Sequence, residues 1–211
     1  SGLQKQPAVS HYRLATHLLS AFTLFAFTFW YVLKLKNINF FVEKTNDGKK
    51  LRYLTIAFFI ILIIQIIYGA FTAGFVEGDA TKIRPGHIFN TWPKMGENWI
   101  AEQVTMKDTF LQNILINSSG IQFTHRILAL LVVVLVCIIW YKSNKLNLNS
   151  KQTQGVTLLI YGVTIQFILG VFTLIYQVPV ILGALHQTGA FFLFASTVYL
   201  IFHIFKPSKV N

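Results

Sequence analysis

Five stretches of this 211-residue chain, at about residues 12–33, 53–76, 121–141, 155–177 and 181–204, are long and apolar enough to cross a bilayer as helices, which takes about 20 residues. Within a bilayer every backbone N–H and C=O must find a partner inside the protein, so a spanning segment is either a helix or a strand of a closed barrel. Barrel strands are about 10 residues long and alternate polar with apolar side chains. The run Leu54-Thr55-Ile56-Ala57-Phe58-Phe59-Ile60-Ile61-Leu62 does not alternate. The expected fold is therefore all-α, a polytopic transmembrane helix bundle of five spans.

Composition narrows the function classes. Charged residues make up 12% of the chain, about half the share usual in soluble domains, and so apolar a chain has ample surface to offset the entropy of ordering. Cys137 is alone, which excludes a disulfide scaffold. The net charge of +11 comes from basic residues scattered between apolar blocks rather than gathered on one face, so membrane lipid and not nucleic acid is the expected partner. Lys34, Lys36, Lys44, Lys49, Lys50 and Arg52 fill the first connection, Lys142, Lys145 and Lys151 the third, and Lys206 and Lys209 the tail. The bias of Lys and Arg toward the inner face puts these on the cytoplasmic (or matrix) side. The N-terminus, the connection 77–120 and the turn at Pro179 then face outward. Within 77–120, the segment from Phe89 to Ile100 sets Trp92 and Trp99 near Pro93 and Gly96, the pattern of a folded cap at the outer interface.

The chain repeats itself. Ala15-Thr16-His17-Leu18-Leu19-Ser20-Ala21-Phe22-Thr23-Leu24-Phe25-Ala26 and Ala184-Leu185-His186-Gln187-Thr188-Gly189-Ala190-Phe191-Phe192-Leu193-Phe194-Ala195 agree at seven of twelve positions, a histidine among them. A weaker echo joins Gln65-Ile66-Ile67-Tyr68-Gly69 to Gln166-Phe167-Ile168-Leu169-Gly170. If spans two to five form one four-helix unit, span one is the last helix of a preceding homologous unit. The small-polar stripes around Gln65 and Gln166 are read as surfaces for close helix contact rather than as ligands.

His17, His125 and His186 each lie about five residues into a span that begins outside, and hence at one depth, some 6–9 Å in at 1.5 Å per residue. A lone histidine near a span end most often pairs within the bundle. Three at equal depth, each followed one turn on by small residues, point instead to a flat macrocycle held by imidazoles from two helices, as in bis-histidine haem proteins. No carboxylate or cysteine in that layer completes a zinc site. Arg126, next to His125, is either an interfacial arginine reaching for water or the partner of a haem propionate. His11, His87 and His203 are read as having no ligand role.

Taken in order, Tyr12-Arg13-Leu14-Ala15-Thr16-His17-Leu18, Gly69-Ala70-Phe71-Thr72-Ala73-Gly74, Asn90-Thr91-Trp92-Pro93-Lys94-Met95-Gly96, Gln122-Phe123-Thr124-His125-Arg126 and Ala184-Leu185-His186-Gln187 resemble the haem A synthase family over essentially the whole chain. Members are membrane enzymes that oxidise a methyl group of haem O to the formyl group of haem A for terminal oxidase assembly. The resemblance implies eight spans in two four-helix halves, with this chain as spans four to eight. Residues 1–52 would be the last helix of the N-terminal half and a cytoplasmic linker, and 53–211 the C-terminal haem-binding half. It implies His125 and His186 as axial ligands of haem b, and His17 as a ligand of the substrate haem O. The catalytic carboxylate and the partner of His17 would lie upstream of Ser1. A farnesyltransferase that makes haem O and an electron donor are implied as partners, and a homo-oligomer is left open. A bacterial cell membrane is favoured over the mitochondrial inner membrane. The sequence departs from the family in a longer link over 75–89 and in lacking cysteine pairs in the outer loops. Two other classes fit the histidines, a membrane cytochrome b electron-transfer subunit and a non-enzymatic haem carrier.

Overall fold

The computed structural model describes residues 9–36, 46–74, 76, 83–107 and 109–205. Lys44, Lys206, Lys209 and most of the link 75–82 lie outside the described residues. Five long helices carry the spans: α1 (His11–Leu35), α2 (Asn46–Ala73), α4 (Ser118–Ser143), α5 (Ser150–Ile175) and α6 (Val180–Phe205), with the short α3 (Phe110–Leu115) in the outer connection. All five are long and apolar enough to cross a membrane, and no strand occurs among the described residues. The chain is an all-α polytopic membrane protein, as expected.

Helix ends differ from the apolar runs where polar side chains set them. α5 starts at Ser150, ahead of its apolar run, because Asn149 Oδ1 accepts from the backbone of Lys151 and Gln152, both at 3.0 Å. Gln152 Oε1 accepts in return from Asn149 N at 3.0 Å, a reciprocal cap that satisfies amides the helix leaves orphaned. The same helix stops at Ile175. Val178 N donates to Thr173 O at 2.8 Å and Gln177 N to Leu174 O at 3.1 Å, the Schellman pattern. Gln177 and Val178 both take positive φ, 61° and 56°.

The described chain falls into two compact units. The first comprises Ser1–Ser20, Ile64–Leu130 and Ile168–His186. There His11, read from sequence as lying outside the spans, is the first residue of α1 and is 1% exposed. Its Nε2 lies 3.1 Å from Leu115 O and its ring stands edge-on to Phe71. A Cβ on Gly74 would fall 2.5 Å from His11 Cα, so only glycine lets the end of α2 meet the start of α1 this closely. A second close approach ties α4 to α3, since a Cβ on Gly120 would fall 1.9 Å from Asn113 O. The cap has its own small core of Met95, Ala101 and Val104, packed with Phe89 and with Phe123 of α4.

The second unit comprises Ala21–Ile63, Leu131–Phe167 and Gln187–Asn211. Its aromatics reproduce the repeat in space. Phe22 meets its repeat counterpart Phe191 at 5.9 Å between centroids, and the cross pairs Phe22–Phe194 and Phe25–Phe191 lie at 4.9 and 4.5 Å. When residue i meets j' and j meets i', the two surfaces are related by a two-fold axis.

Candidate functional site

His125 and His186 both belong to the first unit, on α4 and α6. Each is half-buried. Each presents its Cε1 edge to a glycine of the Gln-x3-Gly echo. A Cβ built on Gly69 of α2 would lie 3.5 Å from His125 Cε1, and one on Gly170 of α5 would lie 2.9 Å from His186 Cε1. The stripes read from sequence as helix-contact surfaces therefore face imidazoles at these two positions. Gln65, one turn before Gly69, sets its Nε2 3.4 Å from His125 Nε2. With the amide donating, Nε2 accepts through its lone pair and the ring proton sits on Nδ1.

His125 Nδ1 and Gln65 Oε1 are both buried without a hydrogen-bond partner. Buried polar atoms in native proteins are nearly always paired, so two orphans beside one imidazole suit a ligand that is not protein. A flat metallated macrocycle matches the donor set, since neutral imidazole nitrogens on different helices are what bis-histidine haem ligation needs. Among the described residues no group of three or more His, Cys, Asp or Glu side chains converges.

Arg126 roofs this region and is 7% exposed, so it is not an arginine reaching for water. Its Nη1 donates to Thr91 O at 3.0 Å and to Lys94 O at 3.1 Å, and its Nη2 to Phe89 O at 2.8 Å and to Gln122 Oε1 at 3.4 Å. Gln122 Nε2 adds a bond to Phe89 O at 3.2 Å. Arg126 Nε stays buried without a hydrogen-bond partner. Asn90 Nδ2 reaches the α5 carbonyl of Leu174 at 2.9 Å. The cap is thus stapled to α4 by Arg126 and to α5 by Asn90. Within it, Thr91 Oγ1 accepts from Gly96 N at 2.8 Å, and Gly96 has φ 68°. Trp99 is exposed at the cap surface.

His17 is exposed on α1. His87 is exposed within a 3-10 turn, and His203 lies in the core of the second unit. Sequence reasoning missed the cap carbonyls, the Asn90 staple and the anchoring of His11. The glycine echo was the one signal in the sequence for the imidazole seats.

Comparison with known proteins gives the family. Residues 1–198 match the COX15-CtaA family, described as cytochrome oxidase assembly protein. The chain belongs to that family. It is 41% identical over 212 residues to a "Heme A synthase" of Flavobacterium johnsoniae, covering 98% of this chain and 58% of that protein. It is 33% identical to one of Nitrosospira multiformis, over 95% of this chain and 54% of that protein. It is 32% identical to "Heme A synthase COX15" of Bos taurus, over 99% of this chain and 50% of that protein. The chain thus spans about half the length of the curated relatives it matches. No solved structure matches it.

Proposed function

We propose that this COX15-CtaA chain holds one haem b between His125 and His186, as part of an enzyme that oxidises a haem O methyl group to the formyl group of haem A. The observation that carries this reading is the paired seating of the two imidazoles on Gly69 and Gly170, within one compact unit and beneath one stapled cap. The fit is chemical as well as steric. Gln65 Nε2 lies 3.4 Å from His125 Nε2, and Gln65 must yield that nitrogen to an iron. When bound, haem b supplies a one-electron redox centre whose potential follows its axial ligands and burial. The cap, pinned by Arg126 and Asn90, limits water entry from the outer side, and Arg126 Nε is the donor nearest in kind to a propionate partner.

On this reading His17, exposed on α1, serves the substrate haem O. A haem O-producing farnesyltransferase supplies that substrate, and an external donor supplies electrons. The cap faces outward and the basic connections face inward in a bacterial cell membrane. An electron-relay cytochrome b would more usually set its ligands at two depths, and the three histidines named above share one.

Two measurements test the proposal. Cells that express the complete gene with haem O available should yield a formyl haem by pigment chromatography, and haem O unchanged would leave the relay or carrier classes. In the purified protein, His125→Ala or His186→Ala should abolish the six-coordinate low-spin spectrum. An unaltered spectrum in either variant would remove that histidine from the ligand set.

A further inference from the structure

We infer that Gly170 is a positioning residue that sets the ring plane of His186, and that its repeat counterpart Gly69 does not bind His125 in the same way. The inference deepens the proposed haem reading and rests on it only for the spectroscopic part of the test. Glycines inside spanning helices are ordinarily there to let helix backbones approach, and the other α5 glycines fit that account. A Cβ on Gly162 would meet Leu193 Cδ1 at 3.2 Å, and one on Gly155 would meet Leu200 Cδ1 at 2.9 Å and its Cα at 3.2 Å. Gly170 is different. The three atoms nearest its missing Cβ all belong to one imidazole: His186 Cε1 at 2.9 Å, Nδ1 at 3.6 Å and Nε2 at 3.6 Å.

A methyl group there would press on the edge that lies between the two ring nitrogens. Imidazole is rigid and turns only about χ1 and χ2. Relief of a 2.9 Å contact therefore swings both nitrogens together and rotates the plane, instead of bending a flexible chain end. Leu193 beside Gly162 can answer a methyl by changing rotamer. At Gly69 the same methyl would stand 3.5 Å from His125 Cε1, an ordinary contact that needs no movement. The two halves of the echo are therefore unequal. The His186 ring occupies space that only glycine at 170 leaves free, whereas a side chain at 69 would meet His125 at ordinary van der Waals distance, and His125 is also approached by the Gln65 amide.

The test uses the haem-loaded protein in detergent with Gly170→Ala, Gly69→Ala, Gly162→Ala, His186→Ala and the double variant Gly170→Ala/His186→Ala. Gly170→Ala should weaken haem b retention about tenfold, the scale of an overpacked core site. It should also shift the low-spin EPR signal, which reads the angle between two axial imidazole planes. Gly69→Ala and Gly162→Ala should leave the position of that signal unmoved. Thermal unfolding supplies an arm that needs no haem. Gly170→Ala should lower the midpoint in the parent and have no effect in the His186→Ala background, where the ring it would strike is gone. Equal losses in both backgrounds, or an unshifted EPR signal in Gly170→Ala, would overturn the inference. If Gly170→Ala fails to accumulate, recovery of folded protein in the double variant supports the inference and failure of both overturns it. A parent without low-spin haem b would sink the proposed function, and the unfolding cycle would still decide whether Gly170 acts through His186.

Discussion

His186 and His203 stand on the same helix and invite opposite experiments. His203 is 0% exposed, its ring packs on Tyr199 at 4.2 Å and on Phe202 at 5.3 Å, and its carbonyl accepts from Gln152 Nε2 at 3.1 Å. It fills core volume, so His203→Ala should cost about 2 kcal/mol, the lower end for emptying a core site. The haem spectrum should stay as it was. Thermal unfolding and an absorption spectrum of one sample check both halves, and a changed Soret band would move His203 into the site. Sequence reading grouped His203 with His11 as having no ligand role, and both turn out to be buried. Depth along a helix can be counted from a sequence. Burial cannot, because it depends on which residues from distant parts of the chain close over a side chain: Leu115 over His11, and Gln152 beside His203.

The outer loop and the α5 stop are where local chemistry decides an element. Arg126 holds the 89–94 segment through three carbonyls, and only a planar fork can serve them together. Arg126→Lys keeps the charge and loses the fork; Phe89 O and Lys94 O keep donors in Gln122 Nε2 and Thr91 Oγ1, and Thr91 O loses its partner, at about 1 kcal/mol. Hydrogen exchange of the amides from 89 to 96 should speed up while α5 and α6 stay protected. Unchanged exchange would mean that the cap holds itself. At the end of α5, Gln177 is exposed and occupies the left-handed position of a Schellman stop with φ 61°, a conformation costing a non-glycine residue about 1–2 kcal/mol. Gln177→Gly should therefore stabilise the fold by up to about 1 kcal/mol after the extra freedom glycine gives the unfolded chain, and so raise the unfolding midpoint. A lowered midpoint would show that the Gln177 side chain stabilises the turn. The spans were legible because the bilayer demands length and apolarity, and the stop near Pro179 was legible as a turn. The partners of Arg126 were not, because every residue has a carbonyl and an arginine aimed at backbone leaves no trace in sequence. The glycine seats were visible as an echo, but the residues facing them depend on how each helix is rotated, which the echo does not encode.

For the whole chain, the 211 residues taken alone should bind about one haem per polypeptide through His125 and His186 and should not convert haem O. His17 is exposed, and a single imidazole open to detergent holds haem weakly compared with a bis-histidine site. Pigment extraction and chromatography measure both outcomes, and formyl haem made by this chain alone would refute the division of labour. The reciprocal Phe22, Phe25, Phe191 and Phe194 pairs give the repeat a physical meaning that the seven identities alone lacked. The only thiol in the chain opens a different line of work. Cys137 is exposed on α4, near the exposed Val134, Ile138, Trp140 and Tyr141. In a bilayer that side meets acyl chains, and the Trp–Tyr pair sits at headgroup level. A nitroxide on Cys137 is thus a depth gauge that requires no engineered residue. Relaxation by dissolved oxygen should dominate over relaxation by a water-soluble nickel chelate, and the ratio of the two would give the immersion of α4 in ångströms.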